Sequence, residues 1–158
     1  MDLLVKLYEL EPDNALRQAL AAEGITVRRA LAPELEAVRL WVQERFSSRW
    51  ACEAQVAMAR DPGACLIAVH DGRILGFACY DAAALGMFGP IGVDPNMRAK
   101  GLGRGLLLET LLAMRARGYA YAVVGGAGPQ DFYIRTVGAI PIAGSEQSIY
   151  AGLVRSGG

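Results

Sequence analysis

Cysteine and histidine are scarce in this sequence: 158 residues hold three of one, Cys52, Cys65 and Cys79, and one of the other, His70. No C-x-x-C pair occurs. An odd, widely spaced set of thiols neither staples a small fold nor makes a metal ligand set, so no metal site is expected. An excess of either charge is also missing. Sixteen Lys and Arg balance sixteen Asp and Glu, which argues against a surface that tracks nucleic acid or anionic lipid as a whole and leaves only a local basic patch open. The longest uncharged stretch of interest, Ala82 to Val93, falls far short of a membrane span and is broken by Gly86, Gly89, Pro90 and Gly92. The opening residues carry Asp2, Lys6 and Glu9, which no secretory leader tolerates in its apolar run. There is no repeat and no low-complexity segment. The expectation is a cytoplasmic protein with reduced thiols, and with neither nucleic acid nor membrane as a partner.

What is present suits a packed domain. Hydrophobic residues reach 53% and charged residues 20%, the balance of a globular chain. At this length about two thirds of the surface is buried on folding. One domain over residues 1–158 is expected, with 1–24 as an N-terminal extension. Leu3 to Leu10 alternates as a short strand, Asp13 to Glu23 reads as a helix closed by Gly24, and Ile25 to Arg29 as a strand. Pro33 opens an amphipathic helical segment, and Ala51 to Arg60 a further helix ended by Asp61, Pro62 and Gly63. Ala64 to His70 and Arg73 to Tyr80 are apolar runs joined by Asp71-Gly72, a two-residue hairpin turn. Gly86 to Val93 is a strand in which Pro90 cannot donate to a ladder, so an edge, a bulge or a splay is required. Leu102 to Arg117 is a helix stopped by Gly118, and Tyr119 to Val124 an uninterrupted, buried strand. Pro129 to Val137 reads as a short helix, with Ala139 to Ala143 and Ser148 to Val154 as closing strands about Gly144-Ser145. The class is mixed α+β.

The densest chemical signal lies between the Gly86–Val93 strand and the Leu102 helix: Ile91-Gly92-Val93-Asp94-Pro95-Asn96-Met97-Arg98-Ala99-Lys100-Gly101-Leu102-Gly103-Arg104. Gly101 and Gly103 let backbone approach a ligand closely. The helix start offers free N–H groups and a partial positive charge. Arg98, Lys100 and Arg104 add three cations. The combination suits a pyrophosphate, although glycine-flanked helix starts with surface cations also occur without a ligand. Neither rival glycine loop fits. There is no Gly-x-x-x-x-Gly-Lys-Ser/Thr run, and Gly101, Gly103 and Gly105 have the wrong spacing for a dinucleotide fingerprint.

Arg98 to Gly103 resembles the acetyl-CoA loop, R/Q-x-x-G-x-G/A, of the GCN5-related N-acetyltransferase (GNAT) superfamily, and the order of elements is similar over most of the chain. The resemblance implies a central, mostly antiparallel sheet with splayed fourth and fifth strands and helices on both faces. It implies acetyl-CoA as co-substrate, held by Ile91, Gly92 and Val93 of the splayed strand and by Arg98, Ala99, Lys100, Gly101, Leu102, Gly103 and Arg104 of the loop and helix. Phe132-Tyr133, followed by Gly138-Ala139, is similar to the family's tyrosine-to-glycine stretch, so Tyr133 takes the role of the acid that protonates the departing thiolate. A core tyrosine with a bonded hydroxyl is the competing reading. Gly125 to Gly128 departs from the family, which often has an asparagine there.

Acetylating an alkyl amine first requires a proton to leave, since at pH 7 roughly 0.04% of such an amine is neutral. No acid stands in the Gly86–Val93 or Tyr119–Val124 strands. Asp81, Glu53 and Asp131 are the remaining candidates, none preferred over its ordinary structural role, and no base is assigned. Trp41, Phe46 and Trp50 are spaced to form one wall, either core or the lining of an acceptor pocket. His70 reads as a surface strand end. The expected function is acetyl transfer from acetyl-CoA to a primary amine of a small molecule by direct attack in a ternary complex. A non-catalytic acyl-CoA sensor or interaction module is the alternative, and either is compatible with a homodimer.

Overall fold

The computed structural model of the chain describes residues 1–97 and 101–155. Its strands are β1 (Leu3–Lys6), β2 (Thr26–Arg29), β3 (Cys65–His70), β4 (Arg73–Tyr80), β5 (Met87–Val93), β6 (Tyr121–Val124) and β7 (Ile140–Pro141). Its helices are α1 (Asn14–Ala22), α2 (Leu35–Arg45), α3 (Ser48–Met58), α4 (Leu102–Arg117) and α5 (Gln130–Val137). Local chemistry fixes several boundaries. The Asp13 Oδ1 accepts from Leu16 N at 3.0 Å and caps α1, and Ser47 Oγ accepts from Trp50 N at 3.1 Å and starts α3 three residues ahead of the expected Ala51. The Asp71-Gly72 turn has both residues at positive φ, 48° and 72°, as a tight hairpin requires.

The strands form one sheet in the order β2-β3-β4-β5-β6-β1-β7. Every pairing is antiparallel except β5 with β6. Helices cover both faces, and β4 shows how. A Cβ on Gly76 would press on Leu106 of α4, whereas the next residue, Phe77, meets Trp41, Phe46 and Trp50 of the α2–α3 side at ring separations of 5.8–6.1 Å. Successive strand residues point to opposite faces, so α4 and the α2–α3 pair sandwich the sheet. Leu106, Leu107, Leu111 and Met114 of α4 are fully buried, each contributing roughly 1.5–3 kcal/mol through burial.

The ends of the chain differ most from the sequence reading. The first strand stops at Lys6 and a single 3-10 turn follows over Leu7–Glu9. β1 inserts between β6 and β7, so the leading residues extend the sheet. Ser148 to Val154 is not a strand; it is a run of turns, and Ala139 to Ala143 shrinks to Ile140–Pro141. β1 pairs with Pro141 and Ile140 for two residues only, and this short β7 ends the sheet. Tyr121, expected to be buried, is 49% exposed and packs edge-on against Tyr8 at 5.6 Å. Its face of β6 is covered by one small ring and not by a helix.

Candidate active site

The site grows from a defect in β5. Tyr80 pairs with Phe88 and Ala78 with Ile91, so Gly89 and Pro90 together oppose Cys79 and form a bulge. On its other side β5 pairs with β6 only at Met87–Val123 and Phe88–Val124. Beyond that point β5 runs on to Val93, while β6 ends and the chain turns away through Gly125 to Gly128. The two strands therefore splay. Between them opens a cleft of about 530 Å³, walled by Gly89–Val93 on one side and Val124–Pro129 on the other. Phe132 and Tyr133 of α5, Gly103 of α4, and Arg49, Trp50 and Glu53 of α3 complete its lining with Tyr150.

Of the residues assigned to the co-substrate, Ile91, Gly92, Val93 and Gly103 line this cleft, whereas Gly101, Leu102 and Arg104 do not. Ile91 and Val93 are half-buried. The Gly92 Cα leaves no room on its far face, because a Cβ there would land inside the Phe46 ring. Its glycine is thus explained by packing, and only its backbone is offered to the cleft. Gly101 caps α4 in the left-handed conformation, φ 78°, with no side-chain acceptor on the first turn among the described residues. A Cβ on Gly101 would also come within 2.8 Å of Leu16. Gly103 differs: its φ is ordinary, and a Cβ would meet only Phe132 and Val93 at 3.9 Å. The space kept free at Gly103 opens on the cleft. The Leu102 side chain is buried in the core, so it can serve a ligand only through its N–H. Arg104 is exposed and pairs with Asp13 at 3.0 Å. Arg98, Ala99 and Lys100 lie outside the described residues.

Tyr133 is 5% exposed, stacked edge-on against Phe88 at 6.3 Å and Phe132 at 5.1 Å. Burial pushes its phenol up to about 12. Phe88 sits where β5 and β6 part, so the tyrosine stands over the fork of the splay.

The acetyltransferase (GNAT) family model matches residues 28–135, more than half of the chain. The chain belongs to this family. No curated protein matches it. Among solved structures, the GCN5-related glucosamine N-acetyltransferase region of a fungal multidomain β-N-acetylglucosaminidase is 18% identical, with a TM-score of 0.71 over 86% of this chain and 19% of that one. A GCN5-related N-acetyltransferase from Sphaerobacter thermophilus is 25% identical, with a TM-score of 0.65 over 87% of this chain and 46% of its own. A GNAT-family acetyltransferase from Brucella melitensis, solved in complex with acetyl-CoA, is 23% identical, with a TM-score of 0.54 over 70% and 80% of the two chains. The present chain thus spans about a fifth of the first of these proteins and just under half of the second.

The rest of this GNAT cleft is decided by tertiary contacts. Of the three candidate acids, Asp81 is buried, 6% exposed, and does not line this cleft; it accepts from Tyr119 Oη at 2.8 and 2.9 Å and from Gly86 N at 2.7 Å. That is a structural role. Asp131 is exposed on the first turn of α5 and does not line the cleft. Glu53 does. Of the aromatic wall, Trp41 and Phe46 are held in the core around Phe77, and Trp50 alone reaches the cleft. His70 Nδ1 donates to the Gly24 carbonyl, 3.1 Å away, at a strand end. Arg49 and Tyr150 were not singled out from the sequence. Arg49 could have been found from its i,i+4 spacing to Glu53; Tyr150 sat in a segment misread as a strand.

Proposed function

We propose that this GNAT chain is an N-acetyltransferase that moves the acetyl group of acetyl-CoA to a primary amine of a small molecule, by direct attack in a ternary complex. The observation that carries this reading is the cleft at the β5–β6 splay, which joins free strand backbone, the open space at Gly103 and the Tyr133 phenol in one place. Membership of the family supports acetyl transfer, and the acetyl-CoA complex of the Brucella protein supports the co-substrate. Backbone of Ile91 to Val93 would hold the pantetheine arm. The N–H groups of the first α4 turn, with Arg104 and the Arg98–Lys100 loop, would hold the pyrophosphate. The cleft's modest volume favours a small acceptor over a folded one.

Direct attack is favoured because the nearest thiols are poor nucleophiles. Cys79 and Cys65 face each other across β3 and β4, both buried, and burial pushes the Cys79 thiol well up. An odd, widely spaced set of three cysteines favours a reducing compartment, in line with a cytoplasmic enzyme. Tyr133 stays protonated at every working pH and so is always loaded as a donor. A phenol near 12 is a weaker acid than a thiol near 8.5, and complete transfer to a thiolate is uphill by about 5 kcal/mol. Its contribution is therefore a hydrogen bond that strengthens as charge develops on sulfur, with the proton following once the bond to carbon has broken. A panel of primary amines, followed by release of free thiol from acetyl-CoA, tests the proposal. Tight acetyl-CoA binding without turnover of any amine would favour the sensor reading instead.

A further inference from the structure

The cleft holds one carboxylate among its described lining residues, Glu53, and the acetyl-transfer mechanism so far uses no base. Glu53 lies on α3 with Arg49 and Trp50, at spacings that place all three on the helix face turned to the cleft. Opposite them is Tyr150, whose place is prepared by the glycine run. A Cβ on Gly125 would come to 3.2 Å from the Tyr150 hydroxyl, and one on Gly126 to 3.3 Å from its ring. The segment bearing Tyr150 is tied back to the chain's start: Ser145 Oγ accepts from Asp2 N at 2.8 Å, and Asp2 Oδ1 accepts from Gly126 N at 2.8 Å. Gly125 and Gly126, where the family often has asparagine, are thus the seat of an aromatic ring. That ring and the α3 face enclose a half-pocket with an acid in it.

We propose that this half-pocket is the acceptor site, and that Glu53 is the catalytic base that takes the proton from the acceptor's ammonium group. The assignment rests on the acetyl-transfer reading above. Glu53 removes one proton from the ammonium and passes it to water. The freed nitrogen lone pair forms the C–N bond at the thioester carbonyl carbon, and the C–S bond breaks with its electron pair going to sulfur. Sulfur takes a proton from Tyr133, which is reloaded by the second proton shed from nitrogen. The products are the amide, the free thiol and one released proton.

The groups around Glu53 suit this task. Burial raises its carboxyl above the ordinary range, against a smaller lowering by Arg49 on the same helix, and a stronger base is nearer the pH at which it must work. From the other elements its charge reaches Tyr150 on the C-terminal segment and the Cys79 thiol on β4, and Tyr133 on α5 lines the same cleft. Burial, followed by the Glu53 charge and that of Asp2, raises the Tyr150 phenol. All three of these neighbours are neutral near pH 7, and Arg49 is the one cation beside Glu53 in the described lining, so an ammonium entering the half-pocket finds Glu53 as its single anionic partner.

The test compares two small acceptors, ethylamine and trifluoroethylamine, with wild type and Glu53→Gln. Trifluoroethylamine is already mostly neutral at pH 7 and does not need the base. The expected result is a loss of roughly a hundredfold in kcat/KM for ethylamine at pH 7, which narrows as pH rises toward the amine's own pKa. For trifluoroethylamine the loss should stay within about threefold, with acetyl-CoA affinity unchanged. Equal losses with both amines, or none with either, would overturn the assignment. If Glu53→Gln fails to fold, Glu53→Asp, which keeps a carboxylate, should show the same amine selectivity at smaller size; equal losses there overturn it too. A wild type that binds acetyl-CoA yet acetylates no amine marks the failure of the transfer reading, and the base assignment falls with it.

Discussion

Arg104 on the first turn of α4 donates to Asp13 Oδ2 at 3.0 Å, while the other carboxylate oxygen of Asp13 caps α1. One acid therefore joins the leading segment to the helix end proposed to hold pyrophosphate. Asn at position 13 keeps the capping oxygen and removes the charge. Asp13→Asn is expected to leave stability unchanged and to tighten acetyl-CoA binding two- to threefold, because a negative charge beside the phosphates is gone. Asp13→Ala should in addition cost about 1 kcal/mol of stability through the lost cap. Calorimetry and urea unfolding measure both. Weaker acetyl-CoA binding by Asp13→Asn would show that the pair holds Arg104 in its binding pose.

Acetyl-CoA should raise the melting temperature. A ligand bound only by the native state adds about 2.7 kcal/mol at a hundredfold excess over Kd. An unmoved melting temperature, with no heat of binding, would remove the co-substrate assignment.

Gly103→Val is expected to weaken acetyl-CoA binding at least tenfold, about 1.4 kcal/mol, in a folded protein. The backbone angle there tolerates a side chain, and the nearest protein atoms stand 3.9 Å from a Cβ. Any loss must then come from the ligand's side. Unchanged affinity would make Gly103 dispensable to binding.

Tyr133→Phe keeps the ring contacts with Phe88 and Phe132 and removes only the hydroxyl. The expected result is a fall in kcat of roughly a hundredfold, with acetyl-CoA affinity changed less than about threefold. Wild-type kcat, under conditions where chemistry limits the rate, would return Tyr133 to the core.

Acid sensitivity should show at Glu34. Arg28 grips its carboxylate at 2.7 and 2.8 Å, Leu31 N donates to it at 2.8 Å, and together they hold it at about 2. A folded-state value below the unfolded one stabilises the fold fully above the unfolded pKa, about 4.3, and the gain is lost as pH falls toward 2. The pair is partly exposed, so about 1 kcal/mol is expected after screening. Glu34→Gln should lower unfolding free energy by that amount at pH 7 and by less at pH 3. An equal loss at both would assign the effect to packing.

Local chemistry was legible in the residues. The hairpin turn needs positive φ at two successive positions, and Asp71-Gly72 supplies them. The α4 helix matches its apolar spacing from Leu102 to Arg117, and the irregularity that Pro90 forces on β5 became the bulge opposite Cys79. These depend on neighbours a few residues apart, which a sequence displays directly. The ends of the chain and the acceptor half of the cleft depend on contacts between residues from two dozen to more than a hundred positions apart. Asp2 bonds to Ser145 and Gly126, and Tyr150 seats itself on Gly125 and Gly126. No periodicity encodes such pairings. The same reason separates the three acids: Asp81, Glu53 and Asp131 are alike as letters. Packing alone ties Asp81 to Tyr119, leaves Asp131 in solvent and turns Glu53 into the cleft, because burial and partners, not residue type, set what a carboxylate can do.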